Sequence, residues 1–473
     1  MYINGQWLQT ANRFAVFNPA NGKEVGQVPD GDADDARRAI DAAVAAFPGW
    51  AAATAYERSA KLYRAYELML TKRDDLARLM TAEQGKPLRM ALAEVRYAAD
   101  FLLWFAEEAK RVYGESIPSA RADQRFLVRR EPVGVVCAIT PWNYPVSMIT
   151  RKVAPALAAG CTIVLKPAES TPLCAMAVFR ILEEAGIPAG VANLVTARDP
   201  QPVGEVFCTD PRVRKLSFTG STEVGRALYQ SAAGQFKRVS LELGGHAPFI
   251  VFDDADPVHA AKGAAAVKFL NTGQACISPN RIFVQRSVAA PFLDTLRKRV
   301  EAQRAGDGLD EASTVGPLFS QRALDKVDAQ VQDAVALGAT LLSGGRRLTD
   351  GALQQGFFYA PTLLADVTPE MRIYREETFG PVAPVIVFDT EQQALAMAND
   401  THYGLAAYVY TQNFARAMRM FEGLHFGIVG INDINPTSAA APFGGMKHSG
   451  LGREGAREGL EEYLETKLGG FSI

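Results

Sequence analysis

The amino-acid sequence predicts an α/β fold in which helices cover both faces of parallel sheets. From Val133 onward, short apolar runs alternate with segments whose apolar residues recur at helical spacing. Such alternation is typical of parallel strands connected by helices. A second series of strands begins after Glu242, so the sequence predicts a second α/β domain. A chain of 473 residues, 48% of them hydrophobic, is long enough for two or three domains.

The predicted elements follow one another along the chain. Short strands and turns extend to about Asp30, and helical patterns then cover 32–47, 55–71, 73–83 and 89–112. The strands predicted for the first domain are 133–140, 161–165, 191–195, 214–218 and 239–243. Its further helices are predicted at 145–159, 171–184 and 221–233. The strands predicted for the second domain lie near Phe249, Ile282, Phe357, Val382, Ala407 and Gly427.

Two short apolar alternations lie outside both series of strands. One covers 126–129 and the other is the C-terminal tail, 460–473. A neighbouring subunit could take up such a segment as an added strand. Each could equally be an ordinary edge strand of its own chain.

Composition and charge exclude several classes of protein. The formal net charge is -2 and the basic residues are dispersed, which argues against a nucleic-acid or membrane partner. The sequence has no apolar run of about 18 residues and no N-terminal export signal, so we expect a soluble, cytoplasmic protein. Five cysteines without C-x-x-C spacing or a histidine cluster predict neither a disulfide framework nor a metal site.

A cysteine and an acid are the candidate reactive groups. Cys276 lies among small residues after the helical pattern 257–270. A free thiol is only a few per cent thiolate at neutral pH, so a nucleophilic cysteine needs local assistance. Glu242 is flanked by leucines at the end of a predicted strand, where a raised pKa would suit a general base or acid. Taken alone, a cysteine after a helix is more often a small buried hydrophobe.

The carboxyl ends of the predicted strands carry residues that suit a dinucleotide. The glycine-containing segment 220–225 leaves a strand and opens a helix, which makes either a phosphate cradle or an ordinary turn. Lys166 and Glu169 could meet the ribose hydroxyls of an adenosine, or could form a solvated charged loop. Asn143, in a segment flanked by prolines, is either a rigid oxyanion donor or a turn asparagine.

Seven motifs in one order carry a family resemblance, and they are Pro141-Trp142-Asn143, Lys166-Pro167-Ala168-Glu169, Phe218-Thr219-Gly220-Ser221-Thr222, Leu241-Glu242-Leu243-Gly244-Gly245, Gly273-Gln274-Ala275-Cys276, Glu377-Thr378-Phe379-Gly380-Pro381 and Pro442-Phe443-Gly444-Gly445. In this order they strongly resemble the aldehyde dehydrogenase superfamily, from about Asn18 to the C-terminus. Residues 442–455 and 149–152 are most similar to the succinate-semialdehyde dehydrogenase branch.

The resemblance implies an aldehyde dehydrogenase-like α/β fold in three parts. A Rossmann-type dinucleotide-binding domain would span 1–117 and 131–245, and an α/β catalytic domain would span 246–445. A small β element for oligomerisation would span 118–130 and 446–473. The resemblance therefore also implies a homo-oligomer, either a dimer or a tetramer.

The resemblance further implies roles for individual residues. Cys276 would be the nucleophile and Glu242 the base, while Asn143 and the Cys276 backbone N–H would form the oxyanion site. Lys166 and Glu169 would hold the adenosine ribose. The other cofactor-binding residues would be Thr140, Trp142, Gly220, Ser221, Gly225, Leu243, Glu377 and Phe379.

Together these roles describe the NAD-dependent oxidation of a short anionic aldehyde, such as succinate semialdehyde, to its carboxylic acid. Thiolate addition creates a tetrahedral alkoxide that can expel hydride, and hydrogen-bond donors aimed at the oxygen stabilise it. Water that Glu242 deprotonates would then cleave the thioester. The acid at 242 disfavours a coenzyme A-acylating relative, and intact Cys276, Glu242 and Asn143 disfavour a non-catalytic one.

Two departures from the branch affect the predicted substrate. Leu270 stands where the branch often carries an arginine for the substrate's distal carboxylate, which leaves Arg151 as the anion's partner. Ser278 stands where a second cysteine is common. A sulfonated aldehyde or a hydroxyaldehyde such as lactaldehyde is therefore an alternative substrate. His448 could supply a replacement donor or be a surface histidine.

Glu169 should repel a 2′-phosphate, which favours NAD over NADP.

Overall fold

The computed structural model describes residues 1–473 as a mixed α/β protein with four β-sheets. The strands are β1 (Tyr2–Ile3), β2 (Gln6–Trp7), β3 (Arg13–Phe17), β4 (Glu24–Pro29), β5 (Glu115–Ile117), β6 (Gln124–Pro132), β7 (Val135–Ile139), β8 (Thr162–Lys166), β9 (Ala192–Leu194), β10 (Val213–Thr219), β11 (Arg238–Glu242), β12 (Ala247–Val251), β13 (Pro279–Gln285), β14 (Thr340–Ser343), β15 (Thr362–Ala365), β16 (Val382–Phe388), β17 (Ala406–Tyr410), β18 (Ile428–Ile431), β19 (Gly450–Leu451) and β20 (Leu464–Ser472).

The α-helices are α1 (Ala33–Ala52), α2 (Ala55–Thr71), α3 (Arg73–Gln84), α4 (Leu88–Glu108), α5 (Ser147–Ala159), α6 (Pro172–Glu184), α7 (Gln201–Thr209), α8 (Thr222–Ala233), α9 (Pro257–Lys268), α10 (Ala289–Glu301), α11 (Gln321–Ala336), α12 (Arg372–Arg375), α13 (Glu391–Asn399), α14 (Phe414–Gly423) and α15 (Ala456–Glu461). None of the helices combines the length and the apolar character that a membrane crossing requires.

Local sequence signals fix several helix ends. The Asp32 side chain accepts hydrogen bonds from the backbone N–H groups of the first turn of α1, and Thr54 and Glu57 form a reciprocal capping box at α2. At the other end of α3, Gly85 adopts a left-handed φ of 92°, which glycine reaches without steric cost. The predicted helix boundaries near these signals therefore agree with the structure to within one or two residues.

The first sheet has eight strands in the order β19-β11-β10-β7-β8-β9-β1-β2. Its centre consists of the five strands predicted between 133 and 243, and all of them pair in parallel. The edge strands β1, β2 and β19 pair antiparallel. Because the central strands are parallel, their carboxyl ends share one edge, where ligands bind in folds of this type.

Both faces of this sheet are buried, as the sequence predicts. Val136 and Ala138 pack into a large cluster with helices α2 to α6, whereas Val135 and Cys137 face a second cluster with α1 and α7. Successive side chains of a strand point to opposite faces, so a strand buried on both faces needs an unbroken apolar run. Helix α7 was not predicted from the sequence.

The second sheet has seven strands in the order β14-β15-β16-β13-β12-β17-β18, and only β14 pairs antiparallel. Five of the six predicted strands are present at or next to the expected positions. The strand predicted near Phe357 is wrong, because that residue lies in a connecting segment before β15. Its backbone N–H donates to the carbonyl oxygen of Pro19 and its own carbonyl accepts from Leu318, so the segment bridges two loops.

The C-terminal tail forms the edge of a separate three-stranded sheet, in the order β20-β6-β5. Strand β20 pairs antiparallel with β6 along its whole length, from Leu464 opposite Pro132 to Ser472 opposite Gln124. The two isolated strands of the sequence thus pair with each other within one chain. Strand β19, which falls in the segment assigned to the oligomerisation element, instead joins the first sheet.

The packing of α4 gives a first prediction. Phe105 is fully buried in the cluster between α2, α4 and α5, and its replacement by alanine would leave a cavity that the helices cannot close. We expect Phe105→Ala to lower the free energy of unfolding by about 3–5 kcal/mol, measured by chemical denaturation. The control Tyr56→Ala removes a ring that is 75% exposed and should change this free energy by less than about 0.5 kcal/mol. Equal effects of the two substitutions would contradict the packing.

Candidate active site

The loop that carries Cys276 has an unusual backbone. Asn271, Thr272 and Gly273 have φ angles of 49°, 61° and 75°, so three consecutive residues are left-handed. Such a conformation costs about 1–2 kcal/mol for each residue that is not glycine. Hydrogen bonds hold it: the Asn271 side chain donates to the Asn143 carbonyl at 2.9 Å, and the Thr272 hydroxyl accepts from the Gly316 N–H at 3.1 Å. The loop is therefore anchored to two other segments.

Two glycines allow this loop to approach its neighbours closely. A Cβ atom at Gly245 would lie 2.2 Å from the carbonyl oxygen of Cys276, and one at Gly273 would lie 2.1 Å from that of Gly380. Any side chain at either position would force the backbone apart. The connection between β11 and β12 thus lies directly against the cysteine.

Cys276 is partly exposed and stands between two cavities. One cavity, of about 360 Å³, lies at the carboxyl edge of the first sheet, and the other, of about 510 Å³, lies beside α4 and α5. Cys276 lines both. Burial raises the pKa of its thiol to about 12, Arg151 acts to lower it, and Glu242 acts to raise it.

Glu242 ends β11 and is buried, and neither of its carboxylate oxygens has a hydrogen-bond partner. Burial, followed by the charge of Glu454, raises its pKa well above the usual range. Burial also opposes ionisation of Glu454, but Lys152 and Arg151 outweigh it and lower that pKa. Burial therefore favours the neutral form of Glu242, whereas the neighbouring cations favour the ionised form of Glu454.

Asn143 follows the end of β7 and is buried beside Cys276 in the wall of the smaller cavity. Its side-chain nitrogen donates to the carbonyl oxygen of Gln274 at 3.0 Å. An amide nitrogen carries two N–H groups, so one donor remains for a ligand. This arrangement suits the stabilisation of an oxyanion at the cysteine.

The smaller cavity gathers most of the predicted cofactor-binding residues. Those that line it are Trp142, Gly220, Ser221, Leu243, Glu377 and Phe379. The smaller cavity is not lined by Thr140, Lys166 or Gly225. The Thr140 N–H donates to the Lys166 carbonyl at 3.1 Å, and a Cβ atom at Gly225 would lie 2.3 Å from Leu243.

Glu169 lines an adjoining cavity of about 770 Å³. Its carboxylate is 3.5 Å from the ammonium group of Lys166, and its side chain is about half exposed. Lys166 is buried, and burial lowers its pKa, whereas Glu169 acts to raise it. Phe319, whose ring stacks on Trp142 with centroids 4.1 Å apart, belongs to the wall of this cavity as well. The two cavities thus meet at one aromatic pair.

These residues fit a nicotinamide dinucleotide. Ser221 caps the N-terminus of α8, where backbone N–H groups and the helix dipole favour phosphate. The buried hydroxyl of Thr219 has no hydrogen-bond partner in the protein and lies in the same wall. The Glu377 carboxylate, which accepts from the Gly245 N–H at 2.9 Å, offers further acceptors for ribose hydroxyls.

The larger cavity contains two of the three predicted substrate residues, Arg151 and Leu270. The Arg151 guanidinium is buried 2.8 Å from Glu454 and 4.0 Å from the centre of the Phe443 ring. One of its terminal nitrogens has no hydrogen-bond partner, which leaves a donor available. The structure places His448 outside both cavities that Cys276 lines, with its exposed ring against His402, as in the surface-histidine alternative.

Sequence reasoning missed several residues of both cavities. Phe319, Ser320 and Lys326 reach the cofactor side from the start of α11. Ser320 caps α11, and a serine before a helical pattern could have indicated that cap but not its neighbours. Lys86 and Glu94 form a buried ion pair in the wall of the larger cavity. Lys86 lies in the connection between two helices and Glu94 lies in a helical pattern, and charged residues in both settings are ordinarily solvated, so no local pattern marks this pair.

Comparisons with known proteins agree with this geometry. Residues 7–468 match the model of the aldehyde dehydrogenase family. An NADP-dependent succinate-semialdehyde dehydrogenase of Escherichia coli (strain K12) is 52% identical over 467 residues, which are 98% of this chain and 96% of the relative. A glutarate-semialdehyde dehydrogenase of Pseudomonas putida is 52% identical over 468 residues, with the same coverage.

A solved structure of similar shape is described as an NADP-dependent enzyme of E. coli. It has 50% sequence identity and a TM-score of 0.98, and the match covers 100% of this chain and 98% of that one. The family match extends over nearly the whole chain, and the likeness in structure covers both cavities and the cysteine between them. The chain therefore belongs to the aldehyde dehydrogenase family.

Proposed function

We propose that the chain oxidises a short anionic aldehyde to its carboxylic acid, with NAD as the hydride acceptor and Cys276 as the nucleophile. The observation that carries the proposal is the position of Cys276, which lines both the smaller cavity, where the predicted cofactor-binding residues gather, and the larger cavity beside α4. A thiol at such a junction can attack a carbonyl carbon in one cavity while the other holds the nicotinamide.

In this mechanism the chain's own residues control charge at the cysteine. Loss of the thiol proton gives the nucleophile, and its addition to the aldehyde forms a thiohemiacetal oxyanion. The free N–H of the Asn143 side chain and the Cys276 backbone N–H stabilise that oxygen. A nicotinamide in the smaller cavity would supply the hydride acceptor. Loss of hydride from the thiohemiacetal carbon leaves a thioester on Cys276.

Glu242 then assists hydrolysis. After loss of its proton it accepts one from water, and the resulting hydroxide attacks the thioester carbon and expels the thiolate. The buried carboxyl without hydrogen-bond partners supports this role, since a raised pKa makes it a stronger base once ionised. The same group disfavours transfer of the acyl group to coenzyme A.

The substrate side supports an anion. Arg151 lines the cavity with an unpartnered donor, and relatives at about half identity bear the names of succinate- and glutarate-semialdehyde dehydrogenases. Succinate semialdehyde or a close homologue is therefore our proposed substrate. Sulfonated and hydroxylated aldehydes are the second candidates, because Leu270 supplies no charge where the branch often has an arginine.

The proposed cofactor is NAD, although the E. coli relative bears the name of an NADP-dependent enzyme. The Glu169 carboxylate lies at the cleft where the adenosine ribose is expected. A carboxylate repels a 2′-phosphate and accepts a hydrogen bond from a free 2′-hydroxyl. Lys166 is already paired with Glu169, so it does not offer an independent positive charge.

We further propose that the chain assembles as a homo-oligomer through the three-stranded sheet. Strand β20 is a free edge. Its side chains Leu468 and Phe471 are 61% and 49% exposed, and Ile473, which follows the strand, is 73% exposed. Exposed apolar residues on an unpaired strand edge favour pairing with another chain. The three-part domain division of the sequence remains part of this proposal, with β19 reassigned to the first sheet.

The role of Glu242 gives a second prediction. With succinate semialdehyde and NAD, Glu242→Gln should release one NADH for each Cys276 and then turn over at least about a hundredfold more slowly than the unmodified enzyme. Rapid-mixing absorbance at 340 nm measures both phases. The control Cys276→Ala should show no burst at all. Steady turnover of the glutamine variant near the normal rate would refute the deacylation role.

The raised thiol pKa gives a third prediction. Thiolate is the reactive form, and a pKa of about 12 means that its fraction rises tenfold with each pH unit through the neutral range. In the cofactor-free enzyme we expect iodoacetamide to alkylate Cys276 about tenfold faster per unit from pH 7 to 9, without a plateau. Glu242 acts to raise this pKa only when its carboxyl is ionised, so Glu242→Gln should accelerate the reaction most at the upper end of this pH range. A plateau below pH 8 would show that burial does not govern the thiol.

Cofactor choice gives a fourth prediction. Glu169→Gln removes the repulsion of a 2′-phosphate, so kcat/KM for NADP should rise about tenfold while that for NAD falls. The control Glu184→Gln removes an exposed acid at the end of α6 that pairs with Lys72, and it should leave the ratio unchanged. An unmodified enzyme that already prefers NADP would overturn the assignment of NAD.

A further inference from the structure

The larger cavity has four charged side chains in its wall, and three of them take part in ion pairs. Lys86 and Glu94 form a buried ion pair with each other, and Arg151 pairs with Glu454. The fourth, Arg89, is exposed and takes part in no salt bridge or side-chain hydrogen bond. Glu454 also pairs with Lys152, so the charge of Arg151 is only partly offset, and Arg89 is the one charged residue of this wall without any ionic partner.

Arg89 lies at the opposite end of the cavity wall from Arg151. The cavity-lining residues of α4 are Arg89, Met90, Ala93, Glu94 and Tyr97, which share one face of the helix. The rise from residue 89 to residue 97 is about 12 Å. Tyr97 is the end near Arg151, whose charge acts to lower the tyrosine pKa against the larger effect of burial. Since Arg89 is exposed and Arg151 is buried, Arg89 lies at the entrance of the larger cavity.

The wall next to Arg89 is apolar. The Asn271 N–H donates to the sulfur of Met90 at 3.3 Å, so the first turn of α4 lies against the residue that follows Leu270. Met90, Leu270 and Ile277 all line the cavity and present no charge. Such a surface suits the methylene groups of an extended substrate.

The position of Arg89 does not stabilise the helix that carries it. It is the second residue of α4, and a cation in the first turn opposes the helix dipole. An exposed arginine in that position, without an acidic partner, gains nothing from the fold. Its charge is instead available to a ligand at the mouth of the cavity.

We infer that Arg89 is a specificity-determining residue that binds the distal carboxylate of longer ω-oxo acids, with a contribution that grows with chain length, whereas the four-carbon succinate semialdehyde depends on Arg151. The inference rests on the proposed function, because it requires an aldehyde to reach Cys276 through this cavity. An exposed charge-assisted hydrogen bond to a substrate carboxylate would strengthen binding along the whole reaction and so act through KM.

The test compares Arg89→Gln with the unmodified enzyme on ω-oxo acids of four, five and six carbons and on neutral pentanal and hexanal. We expect kcat/KM to fall about tenfold for the six-carbon acid and by a smaller factor for the five-carbon acid, in both cases through KM, and less than twofold for the other substrates. Arg89→Lys should restore part of the loss. The control Arg96→Gln removes an exposed arginine of the same helix that does not line the cavity. It should change none of these values.

The outcomes separate this inference from the proposed function. An unmodified enzyme that favours the ω-oxo acids, together with an Arg89→Gln variant of unchanged selectivity, would overturn the role of Arg89 alone. An equal loss on neutral and acidic aldehydes, or a lowered thermal midpoint in Arg89→Gln, would show a structural role and would also overturn it. An unmodified enzyme that prefers pentanal to every ω-oxo acid would instead refute the anionic substrate.

Discussion

The contact between the backbone of Gly245 and that of Cys276 is the constraint on which the site depends. It joins the end of the first sheet, which carries Glu242, to the loop that carries the cysteine. Gly245 also donates its N–H to Glu377, so the same residue links the cofactor side to both. Because the contact is between main-chain atoms, its geometry tolerates no side chain and varies little with rotamer choice. Bringing these segments together requires left-handed backbone at the residues before Cys276, which costs conformational free energy.

Burial then determines which groups of this assembly carry charge. Glu242 and Cys276 have no compensating partner close enough to offset desolvation, and both are held neutral. Glu454 is buried to a similar extent but lies between Arg151 and Lys152, and it stays ionised. Loss of a proton from either group would place an anion beside two cations and one carboxylate, whose single net positive charge offsets part of the cost of that buried anion. This arrangement is consistent with a site that must alternate between nucleophile and leaving group.

The sequence predicts the parts of this structure that depend on local pattern. Unbroken apolar runs predict the five central strands, and motif order predicts that Cys276, Glu242 and Asn143 come together. The strand expected near Phe357 is absent because an apolar run can also bridge two loops. His448 lies outside both cavities, since nearness in sequence to a motif does not place a side chain in the cavity beside that motif. Phe319 and Arg89 enter the site only through the packing of α11 and α4. Their positions depend on contacts between distant segments, which no local pattern encodes.

Charge compensation distinguishes the residues that build the cavities from those that select ligands. The pair Lys86–Glu94 is satisfied within the protein: Lys86 also donates to the Asn143 carbonyl at 2.8 Å, and Glu94 accepts from the first N–H groups of α5. Such a pair positions the oxyanion donor but has no charge left for a substrate. Arg89 differs from this pair, because no protein group forms a salt bridge or side-chain hydrogen bond with its guanidinium. On the proposed function, we expect substitutions at Arg89 to change the selectivity among aldehydes, and substitutions in the buried pair to slow the oxidation of every aldehyde alike.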